Sequence, residues 1–270
     1  MKRIAIHSTP RSGSTWLGQI FNSNPKVKYA FQPLFSFELK GYLNENSSLE
    51  TIQDFFLKLL HTKDDFINQT EGIKKGILPN FFKTNDVSHI VYKEVRYHYV
   101  IENLLLKDEN IKIIGLVRNP LAVIASWLKA PREFRKDLGW LENEEWQYAT
   151  LKNQNKIEEY NGFEKWKEVT NLFLKLEQEF PNQFLLVDYN DLLLDTKSCV
   201  KKMFAFCELE YTSETENFIL QTKEINNEDA YSVFKTKKID NDWENSLNLE
   251  IVEVIIKDLK NTPLEKFLHL

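Results

Sequence analysis

The feature that most constrains this chain is a short apolar strand that runs without a spacer into a small, hydroxyl-rich turn. Residues 3–8 read as a buried strand. Next comes Ser8-Thr9-Pro10-Arg11-Ser12-Gly13-Ser14-Thr15-Trp16, and a helix over residues 14–21 is stopped near Asn24-Pro25. A strand, a tight turn and a helix start gather backbone N–H groups into a nest at the positive end of a helix dipole, which suits phosphate or sulfate. Ser12, Ser14 and Thr15 add hydroxyl donors, and Gly13 permits close backbone approach. The triphosphate-loop pattern G-x-x-x-x-G-K-[ST] matches in register but not in residues. Ser8 stands at its first Gly, Ser14 stands at its Lys, and the cation moves to Arg11. The competing reading of the same stretch is an ordinary strand–turn–helix with a surface Arg.

Strand and helix patterns alternate through the rest of the chain. Val27–Phe31, residues 89–92, Ile111–Val117 and residues 184–187 read as strands. Leu49–His61, residues 99–106 and 120–127, and Leu249–Leu259 read as helices, and residues 195–206 as another. Phe163, Trp166, Val169, Phe173, Leu176 and Phe180 form one helical stripe, ended by Pro181. Such alternation predicts an α/β, P-loop-like three-layer fold, with a central parallel sheet of about five strands flanked by helices. One domain over residues 1–270 accommodates it. Residues 226–243 are polar and Lys-rich and read as a loop.

Charge and cysteine usage narrow the class. A formal net charge of -5 argues against general nucleic-acid binding, which needs a broad basic face. No signal peptide and no apolar run of about 20 residues is present, so stable membrane insertion is not expected. Cys199 and Cys207 fall in one helical stretch, roughly 12 Å apart, too far for a bridge. They read as buried thiols of a reducing, cytoplasmic compartment.

A second anion signature follows the clearest strand. Arg118-Asn119-Pro120-Leu121-Ala122-Val123-Ile124-Ala125-Ser126 puts Arg118 at the strand end and Ser126 two turns into the next helix. Both meet one anion if that helix folds back beside the strand tip, as a doubly wound sheet allows. No acid stands at this strand end to hold a metal.

At these residues the sequence resembles the family of sulfotransferases that use 3′-phosphoadenosine 5′-phosphosulfate (PAPS). Pro10, Arg11, Ser12, Gly13, Ser14, Thr15 and Trp16 resemble its 5′-phosphosulfate loop, and Arg118 through Ser126 resemble its 3′-phosphate motif. Lys93-Glu94-Val95-Arg96 resembles the Lys-bearing strand end between them. Val187-Asp188-Tyr189-Asn190-Asp191-Leu192 resembles a later strand end, with Asn190 for the family's Glu. Lys237-Lys238 and Asp242-Trp243 resemble the late basic loop, with Asn241 for Gly and Thr236 for Arg. Arg11 in an R-S-G-S pattern, and Gln32-Pro33 where a Glu-Pro pair is usual, are similar to the carbohydrate and bacterial types.

The resemblance implies sulfuryl transfer from PAPS to a small-molecule or glycan acceptor, releasing adenosine 3′,5′-bisphosphate (PAP) without metal. Arg11 and the N–H groups of residues 12–15 would meet the leaving phosphate, Lys93 the sulfuryl oxygens, and Arg118 with Ser126 the 3′-phosphate. Lys237 and Lys238 would close over that phosphate. Trp16 and Tyr189 would flank the adenine, with core packing an equal alternative for Trp16. Gln32 and Pro33 would face the acceptor. Gln32 cannot take a proton, so Glu94 is the first candidate base and His98 the second. Glu38 and His7 rank lower, and His7 reads as structural. A small-molecule kinase on the same architecture and a non-catalytic nucleotide- or glycan-binding member remain as alternatives.

Overall fold

A computed structural model describes residues 1–225, 227, 232–234 and 239–270. Five short, mostly apolar runs form the strands: β1 (Lys2–Ser8), β2 (Val27–Phe31), β3 (His89–Glu94), β4 (Ile111–Val117) and β5 (Phe184–Asp188). They make one parallel sheet in the order β2-β3-β1-β4-β5. The expected α/β fold with a five-stranded parallel core is the fold observed.

Twelve α-helices connect and cover the sheet among the described residues. They are α1 (Ser14–Asn22), α2 (Leu49–His61), α3 (Thr70–Lys74), α4 (Ile101–Lys107), α5 (Pro120–Leu128), α6 (Glu142–Glu145), α7 (Thr150–Asn153), α8 (Phe163–Glu179), α9 (Tyr189–Leu194), α10 (Thr196–Phe206), α11 (Ser213–Glu224) and α12 (Leu249–Leu259). Strand side chains alternate between two buried clusters. Ala5, Tyr92 and Ile113 join residues of α2, α4, α5, α8 and α12 on one face. Ile4, Val91 and Ile114 join residues of α1, α9, α10 and α11 on the other. Neighbouring strands β1 and β4 thus send their following helices, α1 and α5, to opposite faces. Their C-terminal ends frame a crevice, where doubly wound sheets bind ligands.

Several boundaries differ from the sequence reading. Residues 98–100 form a 3₁₀ turn, so α4 starts at Ile101. Tyr189–Leu194 is helical, and Asp195 lies outside α10 as its cap, accepting from Ser198 N at 3.1 Å. Helix α11 has no counterpart in the reading. Its buried stripe is Thr215, Phe218, Ile219 and Thr222, and the two threonines hide the apolar period. Cys207 is buried, but Cys199 is half-buried on α10. Of residues 226–243, those described lie in no helix or strand. Among the described residues no helix is long and apolar enough to cross a membrane.

Candidate functional site

The first loop leaves β1 with its hydroxyls already paired inward: Thr9 Oγ1 and Ser12 Oγ lie 2.8 Å apart. Arg11 (φ 67°) and Gly13 (φ 83°) are both left-handed, which turns the chain sharply into α1. No side chain caps α1 at Gly13. The first-turn N–H groups of a helix have no intrahelical partner, so this terminus presents donors toward the crevice. Glycine is required at position 13 for a second reason. A Cβ there would stand 2.4 Å from Cε2 of Tyr189. The buried Tyr189 ring therefore lies against the loop, with Trp16 edge-on at 6.2 Å. Trp16 is half-buried, and its indole Nε1 meets no hydrogen-bond partner among the described residues.

Arg118 directly follows β4, where Trp166 of α8 donates from Nε1 to its carbonyl at 3.0 Å. Its fork is bidentate on Asp240, with Nε to Oδ2 at 2.7 Å and Nη2 to Oδ1 at 2.6 Å. Nη1 donates to the carbonyl of Arg11 at 2.6 Å, and the guanidinium lies 5.0 Å from the Tyr189 ring centre. Burial opposes the charge of Arg118, but the hydrogen bonds and charge of Asp240 outweigh it and hold its pKa above the ordinary value. Ser126 and Arg118 both meet Arg11, whose Nε donates to Ser126 Oγ at 3.1 Å because α5 folds back toward the first loop. Lys237 and Lys238 lie outside the described residues.

Lys93 is buried, with its ammonium 4.3 Å over the Phe31 ring. Burial pulls its pKa down to about 7, Glu94 and Glu133 work against that, and Arg96 and Arg11 add to it. Glu94, one residue on, leaves the opposite face of the strand. It is fully buried, and its Oε1 accepts from Leu34 N at 2.8 Å. Burial pushes its carboxyl up to about 8. The base expected at Glu94 is thus sealed behind the sheet, away from the side that carries Lys93. His98 is also enclosed. Its Nδ1 lies 3.1 Å from Nδ1 of His7, Tyr160 packs edge-on at 4.4 Å, and burial holds it well below the usual imidazole range. His7 is pushed down to about 3 by burial, which agrees with a structural role.

Gln32 is left-handed (φ 42°), and Pro33 opens a 3₁₀ turn. The Gln32 N–H donates to the carbonyl of Lys93 at 2.8 Å, and Gln32 Oε1 accepts from Nη1 of Arg96 at 2.9 Å. Arg96 also pairs with Glu159 at 3.0 Å. Glu38 is exposed and accepts from the Thr62 hydroxyl. Two acids that the sequence reading passed over pair with the arginines among the described residues. Asp240 fills the Arg118 fork, and Glu133, on the segment after α5, lies 3.5 Å from Nη1 of Arg11. No local pattern marked either one.

The crevice therefore joins an uncapped helix terminus, Arg11, Lys93 and Arg118, with carboxylates at two of the cations. It suits a ligand with two separated anionic groups. The family model described as Sulfotransferase domain matches residues 1–266. The chain is similar to carbohydrate sulfotransferase 3 of Tetronarce californica, at 24% identity over 94% of this chain and 69% of that protein. Its similarity to carbohydrate sulfotransferase 3 of Homo sapiens is 20% identity over 94% and 64%. In structure it is similar to mouse sulfotransferase SULT7A1 complexed with PAP (TM-score 0.56, 14% identity, 99% of this chain and 87% of that one). It is also similar to a retinol dehydratase in complex with androsterone and inactive cofactor PAP (TM-score 0.52, 16% identity, 97% and 82%).

Proposed function

Because the chain belongs to the Sulfotransferase domain family, we propose that it moves a sulfuryl group from PAPS to a hydroxyl or amine of a small molecule or glycan. The observation that carries this reading is the bidentate seat of Asp240 in the Arg118 fork, beside the uncapped terminus of α1. A guanidinium that takes a carboxylate in two parallel bonds offers the same geometry to a phosphate. The nest at residues 12–15 offers a second anion site, and the carbonyl of Arg11 links the two. The PAP-bound relatives support a nucleotide with phosphates at both ends, and the curated relatives support a carbohydrate acceptor.

In this reading the nest and Arg11 hold the 5′-phosphate, and Ser126 fixes the plane of the Arg11 guanidinium. Lys93 meets the sulfuryl oxygens, and its lowered pKa makes it sensitive to the arrival of an anion. Arg118 takes the 3′-phosphate once Asp240 is displaced, with Lys237 and Lys238 as further cations. Tyr189 supports both grips from beneath, Trp16 offers a face to the base, and Gln32, Pro33 and Arg96 border the acceptor side. Sulfuryl transfer is an in-line displacement governed by positioning and charge stabilisation. These fixed cations supply the stabilisation in place of a divalent metal.

Thermal unfolding with nucleotides tests the reading. PAP should raise the melting temperature by several degrees at a concentration where ATP, without a 3′-phosphate, does little. Labelled PAPS should pass its label to an acceptor with a chelator present. Equal shifts from PAP and ATP, or activity restored by Mg²⁺ after chelation, would return the site to the kinase reading.

A further inference from the structure

We infer that Glu133 is the general base that takes the acceptor's proton, an assignment that rests on the sulfuryl transfer proposed above. The reaction needs such a group. The acceptor oxygen forms a bond to sulfur, the bond from sulfur to the 5′-phosphate oxygen breaks with its electron pair going to that oxygen, and the acceptor's proton must go to a nearby base. Gln32 has no site for it. Glu94 is buried behind the sheet on the Leu34 N–H, and His98 and His7 are enclosed against each other. Glu159 is held by Arg96 and by Asn161, whose Nδ2 donates at 3.1 Å. Glu38 is held by Thr62.

Glu133 differs from all of these in what it faces. Its Oε1 lies 3.5 Å from Nη1 of Arg11, beyond a good hydrogen bond, so the pair is close but not locked. Its charge also acts on Lys93. The carboxylate therefore stands beside the cation assigned to the leaving phosphate and acts through its charge on the one assigned to the sulfuryl oxygens, and its side chain is 24% exposed, open to an incoming acceptor.

The position is built rather than incidental. The N–H groups of Glu133 and Phe134 both donate to the carbonyl of Ala130, at 2.9 and 2.8 Å. Phe134 is buried and packs edge-on against Trp127 at 5.2 Å and Trp140 at 5.7 Å. A buried aromatic next in sequence anchors the turn that carries the carboxylate. After transfer, the proton on Glu133 passes to solvent at the open side of the crevice.

The experiment uses the full chain, labelled PAPS, and a panel of methyl hexosides with water as the background acceptor. PAP affinity is measured in parallel by calorimetry. Glu133→Gln keeps the size of the side chain and removes the base. It should lower kcat by about 10²-fold or more, while KM for PAPS and PAP affinity stay within about threefold. The acid limb of the wild-type kcat/KM profile should vanish in Glu133→Gln, and Glu133→Asp should restore part of kcat. A Glu133→Gln enzyme with kcat within about threefold of wild type and its acid limb intact overturns the assignment. So does a parallel loss of kcat and PAP affinity, which marks a structural role. A wild-type protein that neither binds PAP nor transfers label overturns the proposed function, and the base with it.

Discussion

Arg11 and Arg118 carry the same charge in different surroundings, and the difference predicts different kinetics. Arg118 sits deep, forked on Asp240. In the proposed reaction its hold on a 3′-phosphate would be equal in ground and transition states, so Arg118→Ala should raise KM for PAPS and leave kcat nearly unchanged. In the proposed reaction Arg11 would face the oxygen that gains charge as the S–O bond breaks. Arg11→Ala should lower kcat by about 10²–10³-fold, with Arg11→Lys recovering part. Steady-state kinetics with PAPS varied checks the pair, and the reverse pattern would exchange the two roles. Asp240 gives a sharper test. On that reading a carboxylate in the fork would compete with the ligand, and binding would have to displace it. Asp240→Asn removes that charge, so PAP should bind about three- to tenfold more tightly by calorimetry. Weaker binding would make Asp240 a residue that orients Arg118 for the ligand.

At the scale of elements, the loop between β1 and α1 depends on one small residue against one ring. Gly13 combines φ 83° with a Tyr189 ring that leaves no room for a Cβ. Gly41 has φ 64° and nothing within 4 Å of its missing Cβ. Gly41→Ala should therefore cost about 1–2 kcal/mol, for the left-handed backbone alone. Gly13→Ala should cost more, because the loop or the ring must also shift, and it should weaken PAP binding where Gly41→Ala does not. Urea unfolding and calorimetry on the two variants separate the terms. Equal costs with unchanged binding would mean that Tyr189 swings away freely.

At the scale of the whole molecule, a sheet covered on both faces encloses ionisable groups, and pH reads their burial. The folded chain holds the Glu94 carboxyl up to about 8, while the unfolded chain ionises it near the ordinary ~4.3. Its contribution to stability is thus full below about 4 and is lost as pH rises to about 8. Lys93, lowered to about 7 by burial, acts in the opposite sense, costing stability as pH falls from about 10 toward 7. Glu94→Gln isolates the first effect. Urea unfolding at pH 5, 6.5 and 8 should show the variant gaining on wild type at each step. Parallel curves would mean that Glu94 is ionised in the folded protein.

The strands Val27–Phe31 and Ile111–Val117 and the helices Leu49–His61 and Leu249–Leu259 were legible to the residue, because their periods are local. The strand–turn–helix of the first loop was legible too, since it depends on residue types in one short turn. Helix α11 was not, because threonines fill half of its buried stripe. The partners of the cations were also beyond reach. Arg11 meets Ser126 across 115 positions, and Arg118 meets Asp240 across 122. Alternation along β3 dictates that Lys93 and Glu94 part to opposite faces. Which face carries the crevice depends on the order β2-β3-β1-β4-β5 and on α1 and α5 taking opposite sides. Local periodicity sets secondary structure through neighbouring residues. The partners of a charge are set by crossovers that bring distant segments to one sheet edge, and only the tertiary structure decides those.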